Sequence, residues 1–226
     1  MGLSRRFDPR LYLVTDRGLS RGRPIDVVVE AAVRGGVTAV QIREKGCPAA
    51  EFLERALRLK ALLDRFGVPL IVNDAVDAAA ACRAAGVHLG QGDASITEAR
   101  RLLGPEAIIG LSVETLEQAE AAAGLDLDYL SVSPVFSTPT KNFAGPAWGL
   151  DGLRHLRTRT PKPLVAIGGI NASNAASVLA AGADGLALVS AICSAPDPES
   201  AARELRTIID HFRTRPPWGC PDRRII

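Results

Sequence analysis

Thr38-Ala39-Val40-Gln41-Ile42-Arg43-Glu44-Lys45 begins with β-branched and apolar residues just after Gly35-Gly36 and ends in an amide and three charged side chains. The apolar half reads as a buried strand, and the polar half marks where that strand reaches the surface. Strand side chains alternate between two faces, so Gln41, Arg43 and Lys45 share one face while Ile42 and Glu44 take the other. Burying two unpaired cations in an apolar core would be prohibitive, so their face must meet an anion or water. This segment alone leaves two readings open. It is either an anion site or a solvated strand end whose Arg43 and Lys45 pair with Glu44 or nearby acids.

Working outward, the same strand-then-helix unit recurs. Upstream, Leu11-Tyr12-Leu13-Val14-Thr15-Asp16 is a short apolar run with a Gly- and Arg-rich loop after it. Asp26 is read as the cap of a helix with Val27, Ala31 and Val33 on its apolar stripe. Downstream, a helix over 48–66 has Pro48 at its start and Gly67 past its end. Leu70-Ile71-Val72-Asn73-Asp74 and an Ala-rich helix to 85 follow. Gly86-Val87-His88-Leu89-Gly90 then leads to a helix over 95–103, and Ala107 to Val113 to a helix over 114–124. Tyr129 to Val135 is a sixth strand, joined by a Pro-, Gly- and Thr-rich connection over 136–148 to a helix over 150–158. A connection that long inside a compact domain is usually functional or disordered. Leu164 to Gly169 and Gly185 to Ser190 complete the strands, with helices over 173–181 and 198–212.

Eight alternations with uninterrupted apolar strands predict an α/β fold, a single (β/α)8 TIM barrel. The 226 residues approach the roughly 250 typical of that fold. A doubly wound sheet is the alternative arrangement of the same units. Residues 1–10 are a lead-in, 11–212 the barrel catalytic domain, and 213–226 a Pro- and Arg-rich tail that leaves a homo-oligomer contact open.

Composition narrows the function. With 27 Lys and Arg against 25 Asp and Glu, the net charge of +2 makes no case for nucleic acid or membrane as partner. Cys47, Cys82, Cys193 and Cys220 lie far apart with no CxxC pair, against a zinc site or disulfide framework and in favour of a reducing compartment. Neither a spanning segment nor a signal-peptide core is present, so a cytoplasmic protein is expected.

In such a barrel the carboxyl ends of the strands converge on one mouth, where chemistry occurs. Asp74 and Asp93 follow successive strands there, flanked by Arg43, Lys45 and Lys141. Two carboxylates beside fixed cations suit a divalent metal bridging protein oxygens and a diphosphate, and magnesium prefers such ligands. Helix capping is the plainer reading of each aspartate. Gly168-Gly169 and the turn after Val189-Ser190 match the phosphate site that barrels build after strands seven and eight, although tight strand-helix packing also calls for glycine. The mouth is thus expected to offer one diphosphate site with metal and one monophosphate site.

Other signals are weaker. Gly90-Gln91-Gly92 lacks the third glycine of a dinucleotide loop. His88 reads as a strand histidine, and His155 and His211 as helix surface; none has ligand-spaced partners. Cys47 has no histidine placed to activate it, and no covalent nucleophile is indicated.

Tyr12-Leu13-Val14-Thr15-Asp16, Gln41 to Lys45, Val72-Asn73-Asp74, His88 to Asp93, Ser133 to Lys141, and Ala166-Ile167-Gly168-Gly169-Ile170 together resemble the thiamine-phosphate synthase family, in order from about Leu11 to Asp210. The resemblance implies condensation of 4-amino-2-methyl-5-hydroxymethylpyrimidine diphosphate with 4-methyl-5-hydroxyethylthiazole phosphate, or its carboxylated form, giving thiamine phosphate and pyrophosphate. By similarity, Gln41, Arg43, Lys45, Asn73, Ser112 and Lys141 bind the pyrimidine diphosphate. Among these, Arg43, Lys45, Ser112 and Lys141 are the expected catalytic groups. Asp74 and Asp93 would hold Mg2+, and Thr138, Pro139, Thr140, Gly169, Val189 and Ser190 the thiazole phosphate. One departure is Gly92, where Glu is expected beside the metal aspartate.

Two rivals share the barrel. A thiazole tautomerase-like paralogue needs neither paired aspartates nor a lysine after the threonines, and it places a histidine near strand five. Here Ser112-Val113-Glu114 stands in that region. A non-catalytic thiamine-phosphate-binding barrel is the other, because a barrel does not itself imply activity.

Overall fold

The computed structural model describes residues 7–140 and 145–214. Its strands are β1 (Leu11–Val14), β2 (Ala39–Ile42), β3 (Leu70–Asn73), β4 (Gly86–Leu89), β5 (Ile108–Val113), β6 (Tyr129–Val132), β7 (Leu164–Ile167) and β8 (Gly185–Leu188). All pair in parallel with their sequence neighbours, and β8 returns to β1, so the sheet closes on itself without an edge. This is the (β/α)8 barrel that the strand count predicts.

Period-two alternation sorts the strand residues into two cores. Leu11 and Leu13, Val40 and Ile42, and Leu130 and Val132 face outward into a shell shared with the helices. Tyr12, Val14, Ala39, Ile71, Ile108, Tyr129, Val165 and Ala187 fill the interior. Each fully buried Val, Leu or Ile contributes about 1.5–3 kcal/mol, so a one-residue slip in any strand would be costly. Gln41, Asn73, His88, Ser112 and Ser131 are the last inward residues of their strands, which places them at the carboxyl end.

The helices among the described residues are α1 (Ile25–Arg34), α2 (Ala49–Asp64), α3 (Val76–Ala81), α4 (Ile96–Leu103), α5 (Leu116–Ala121), α6 (Gly149–Arg159), α7 (Ala175–Ala180), α8 (Ser190–Cys193) and α9 (Pro198–Thr214). Helix α9 closes the outer ring against α1 and α7 and runs into the first two tail positions.

Several local expectations are revised. Asp26 does not cap α1: Pro24 holds the N-cap position at φ −55°, and Asp26 sits in the first turn. Proline has no N–H to satisfy and a fixed φ, so the chain turns into the helix earlier. The Ala-rich stretch stops being helical at Ala81, because Arg83 takes a left-handed φ of 52° where the residue types carry no stop signal. Helix α5 starts after Thr115, whose hydroxyl accepts from the Gln118 N–H, and ends at Ala121, short of Gly124. Strand β8 ends at Leu188, and Ser190 opens the short α8. An apolar run of that length reads alike as strand or helix.

Candidate active site

The carboxyl ends of the strands open on one cavity, and most of the residues picked out from the sequence line it. Gln41, Arg43 and Lys45 enter from β2, Asn73 and Asp74 from β3, Asp93 from the loop after β4, and Ser112 from β5. Thr138 and Thr140 come from the loop after β6, Gly169 from the end of β7, and Val189 and Ser190 from the end of β8. Pro139 instead borders an adjoining groove with Asp16, Arg43, Lys45 and Thr140. Lys141 lies outside the described residues.

At the β2 tip the alternation continues past the strand. Ile42 is fully buried in the outer shell, whereas Gln41 and Arg43 face the cavity. The Arg43 N–H donates to Thr15 Oγ1 at 3.0 Å, tying the tip to the end of β1. Its guanidinium is 3.9 Å from Asp16. Glu44 turns the other way, to Arg55 and Arg17. Glu44 thus does not neutralise its neighbours, while the other pairing that the solvated reading allows, Arg43 with a nearby acid, is present at Asp16.

Asp74 and Asp93 meet across the β3 and β4 ends. Burial, then the hydrogen bond to Asp93 and its charge, push the Asp74 carboxyl up to about 6, against Asn73 and Arg43 pulling it down. Asp74 holds a left-handed φ of 63°, and Asp93 Oδ2 accepts from the Gly90 N–H at 2.6 Å. Neither aspartate caps the following helix: α3 has Ala75 at its N-cap, and Ser95 caps α4. Two crowded carboxylates in a strained setting fit a hard divalent cation that would relieve their repulsion. No cluster of three or more His, Cys, Asp or Glu gathers among the described residues.

Opposite the aspartates, Gly168 and Gly169 take φ of 103° and 65°. A Cβ on Gly169 would stand 2.7 Å from Phe136 Cβ and 3.0 Å from the Ser137 carbonyl oxygen. Packing alone therefore requires glycine here. The Phe136 N–H donates to the Gly168 carbonyl at 3.0 Å, holding the β6 loop beside the end of β7, and the Thr140 N–H donates to Thr138 Oγ1 at 3.3 Å.

A family model described as thiamine monophosphate synthase matches residues 11–192. The chain belongs to the thiamine monophosphate synthase family. It is 59% identical to a thiamine-phosphate synthase of Albidiferax ferrireducens, across 89% of this chain and 92% of that one. It is 51% identical to one of Chloroflexus aurantiacus, across 92% and 96%. A solved thiamine phosphate pyrophosphorylase of Pyrococcus furiosus superposes with a TM-score of 0.83 at 40% identity, covering 91% of this chain and 98% of that one.

Some cavity residues of this thiamine monophosphate synthase family member were not picked out from its sequence. Tyr12 and His88 also line the cavity, and Tyr129 lies buried beneath it. Inward parity with Gln41 and Ser131 would have found them. Gly110, opposite Tyr129, makes room for that ring. The departure at Gly92 is sterically neutral, since a Cβ there would meet nothing within 4 Å. Cys47 is half-buried near Arg55 and Glu51, with its thiol pushed up chiefly by burial, as suits a bystander.

Proposed function

We propose that this chain condenses 4-amino-2-methyl-5-hydroxymethylpyrimidine diphosphate with 4-methyl-5-hydroxyethylthiazole phosphate, or its carboxylated form, to give thiamine phosphate and pyrophosphate. One observation carries the reading: the cationic β2 tip, the paired aspartates and the glycine turn of β7 share a single cavity. A metal-bound leaving group and a phosphorylated heterocycle can thus be delivered to the same place.

In this mechanism the pyrophosphate departs before the thiazole nitrogen attacks, and the aminopyrimidine stabilises the methylene cation in between. Charge grows on the departing oxygens, so preplaced Arg43, Lys45, Lys141 and Ser112 stabilise the transition state more than the ground state. Gln41 and Asn73 orient the pyrimidine diphosphate. Asp74 and Asp93 would hold Mg2+, which supplies charge neutralisation to the diphosphate. Thr138, Pro139, Thr140, Gly169, Val189 and Ser190 form the thiazole-phosphate side, where backbone N–H groups bind an oxyanion without a cationic side chain.

The barrel over 11–212 acts as the whole catalytic unit, working on small molecules in the cytoplasm. No helix among the described residues is long and apolar enough to cross a membrane. Homo-oligomer contacts of the tail beyond 214 fall outside the described residues. The paired aspartates and Ser112 favour this reading over the tautomerase-like paralogue. Magnesium-dependent pyrophosphate release, measured with both substrates, tests it; binding of thiamine phosphate with no release would favour the non-catalytic barrel.

A further inference from the structure

Beneath the mouth, a chain of hydrogen bonds crosses the barrel interior. Gln41 Nε2 donates to Tyr12 Oη at 3.0 Å, and the Tyr12 and Tyr129 hydroxyls are 3.1 Å apart. His88 Nδ1 lies 2.9 Å from Tyr129 Oη, and His88 Nε2 lies 2.9 Å from Ser112 Oγ. Tyr12 and Tyr129 are 1% and 0% exposed, so bulk water is no partner for either phenol. Burial raises both phenols well above the ordinary tyrosine value, and both stay protonated at neutral pH. Phe7 stacks on Tyr129 at 4.8 Å between centroids, and Tyr129 stacks on His88 at 5.6 Å, so the ring planes are held.

Each phenol has one proton to give, which makes the chain directional. With the Gln41 amide donating, the Tyr12 proton goes to Tyr129 and the Tyr129 proton to His88 Nδ1. A neutral His88 that accepts at Nδ1 carries its proton on Nε2 and donates to Ser112. The Ser112 proton is left for the mouth, and Gln41 Oε1 is left as an acceptor at the other end. Turning the amide over reverses every link and satisfies the phenols equally. It would, however, present an NH2 at Gln41 and only lone pairs at Ser112. An aminopyrimidine diphosphate brings a donor and an anion, and only the first direction complements both.

We infer that Tyr12, Tyr129 and His88 are positioning residues that polarise one hydrogen-bond chain and hold Ser112 as a donor toward the departing diphosphate. This rests on the proposed function. It adds to it a role for three residues that touch Ser112 directly or through one another. His88 acts through Ser112 and not as an acid or base.

The test is a mutant cycle on the full chain, reading kcat and KM for the pyrimidine diphosphate from pyrophosphate release at saturating magnesium and thiazole phosphate. His88→Asn keeps a partner for Tyr129 and withdraws the one for Ser112; it lowers kcat at least about tenfold with KM within about threefold. The double variant with Ser112→Ala is no slower than Ser112→Ala alone, because both remove one interaction. Multiplying losses in the double variant or wild-type kcat in His88→Asn would each overturn the inference. If His88→Asn does not fold, as its thermal midpoint will tell, Tyr129→Phe takes its place in the same cycle with the same two outcomes. Absence of pyrophosphate release from the wild type removes the proposed function itself; multiplying losses in an active enzyme remove only the relay.

Discussion

Glu44 turns away from the Arg43 and Lys45 that flank it and places Oε2 2.5 Å from Nη1 of Arg55 on α2. The side chains are only 5% and 11% exposed, and Arg17 approaches the same carboxylate at 3.8 Å. Glu44 thus pins the β2 tip to the helix behind it while its neighbours face the cavity. Removing one partner of a mostly buried pair leaves the other charge stranded. Glu44→Ala is expected to lose about 2–3 kcal/mol of stability, somewhat under the ~3–5 of a fully buried pair, because Arg55 retains Glu51. Urea denaturation with an unchanged m value checks this; a midpoint equal to wild type would show that the pair does not anchor the tip.

In the proposed chemistry Asp74 and Asp93 hold the divalent ion. Asp74→Asn and Asp93→Asn are each expected to raise the magnesium concentration for half-maximal activity at least about tenfold, and chelation to abolish wild-type turnover. A magnesium titration of pyrophosphate release reads both. Variants that saturate at the wild-type concentration would place the ion elsewhere.

Lys141 completes the cationic clamp in the proposed chemistry. Lys141→Ala should reduce kcat by at least roughly a hundredfold and change KM far less, as expected of a contact that strengthens when charge develops. Steady-state kinetics decide; wild-type-like turnover counts against the assignment.

Gly169 has no room for a side chain and sits at a φ that disfavours one. Gly169→Ala must push back the Phe136 turn, destabilising the protein by about 1–3 kcal/mol and raising KM for the thiazole phosphate more than for the pyrimidine diphosphate. Paired KM measurements show the asymmetry. Equal changes in both would assign the glycine to packing alone.

Gly110 faces the Tyr129 ring so closely that a Cβ would fall 2.1 Å from its Cζ. The ring is rigid and fully buried, so Gly110→Ala cannot be absorbed by a flexible tip. The expected outcome is a thermal midpoint lower by several degrees, about 2–4 °C per kcal/mol for a chain of this size, together with lost activity. A variant with native midpoint and rate would mean that the interior layer is looser than it looks.

The residue order alone determined the repeat of strand and helix, and eight such units favour a barrel over a doubly wound sheet of the same units; the pairing of β8 with β1 is what closes it. It also placed Gln41, Arg43 and Lys45 on one face at the mouth, because parity along a strand is local geometry, whereas Tyr12 and His88 join them there only in the folded barrel. Helix boundaries were less legible, since Pro24, Arg83 and Val189 redirect the chain through backbone conformations that residue type only biases. What tertiary structure decided is which groups meet. The same Glu44 could have neutralised Arg43 or Lys45, but α2 brings Arg55 to it. Asp74 and Asp93, separate in sequence, crowd each other because β3 and β4 are neighbours. Tyr12, His88, Ser112 and Tyr129 form one hydrogen-bonded chain only because closure turns the inner faces of four strands toward a common axis. Contacts of that kind depend on distance in space, which spacing along the chain does not encode.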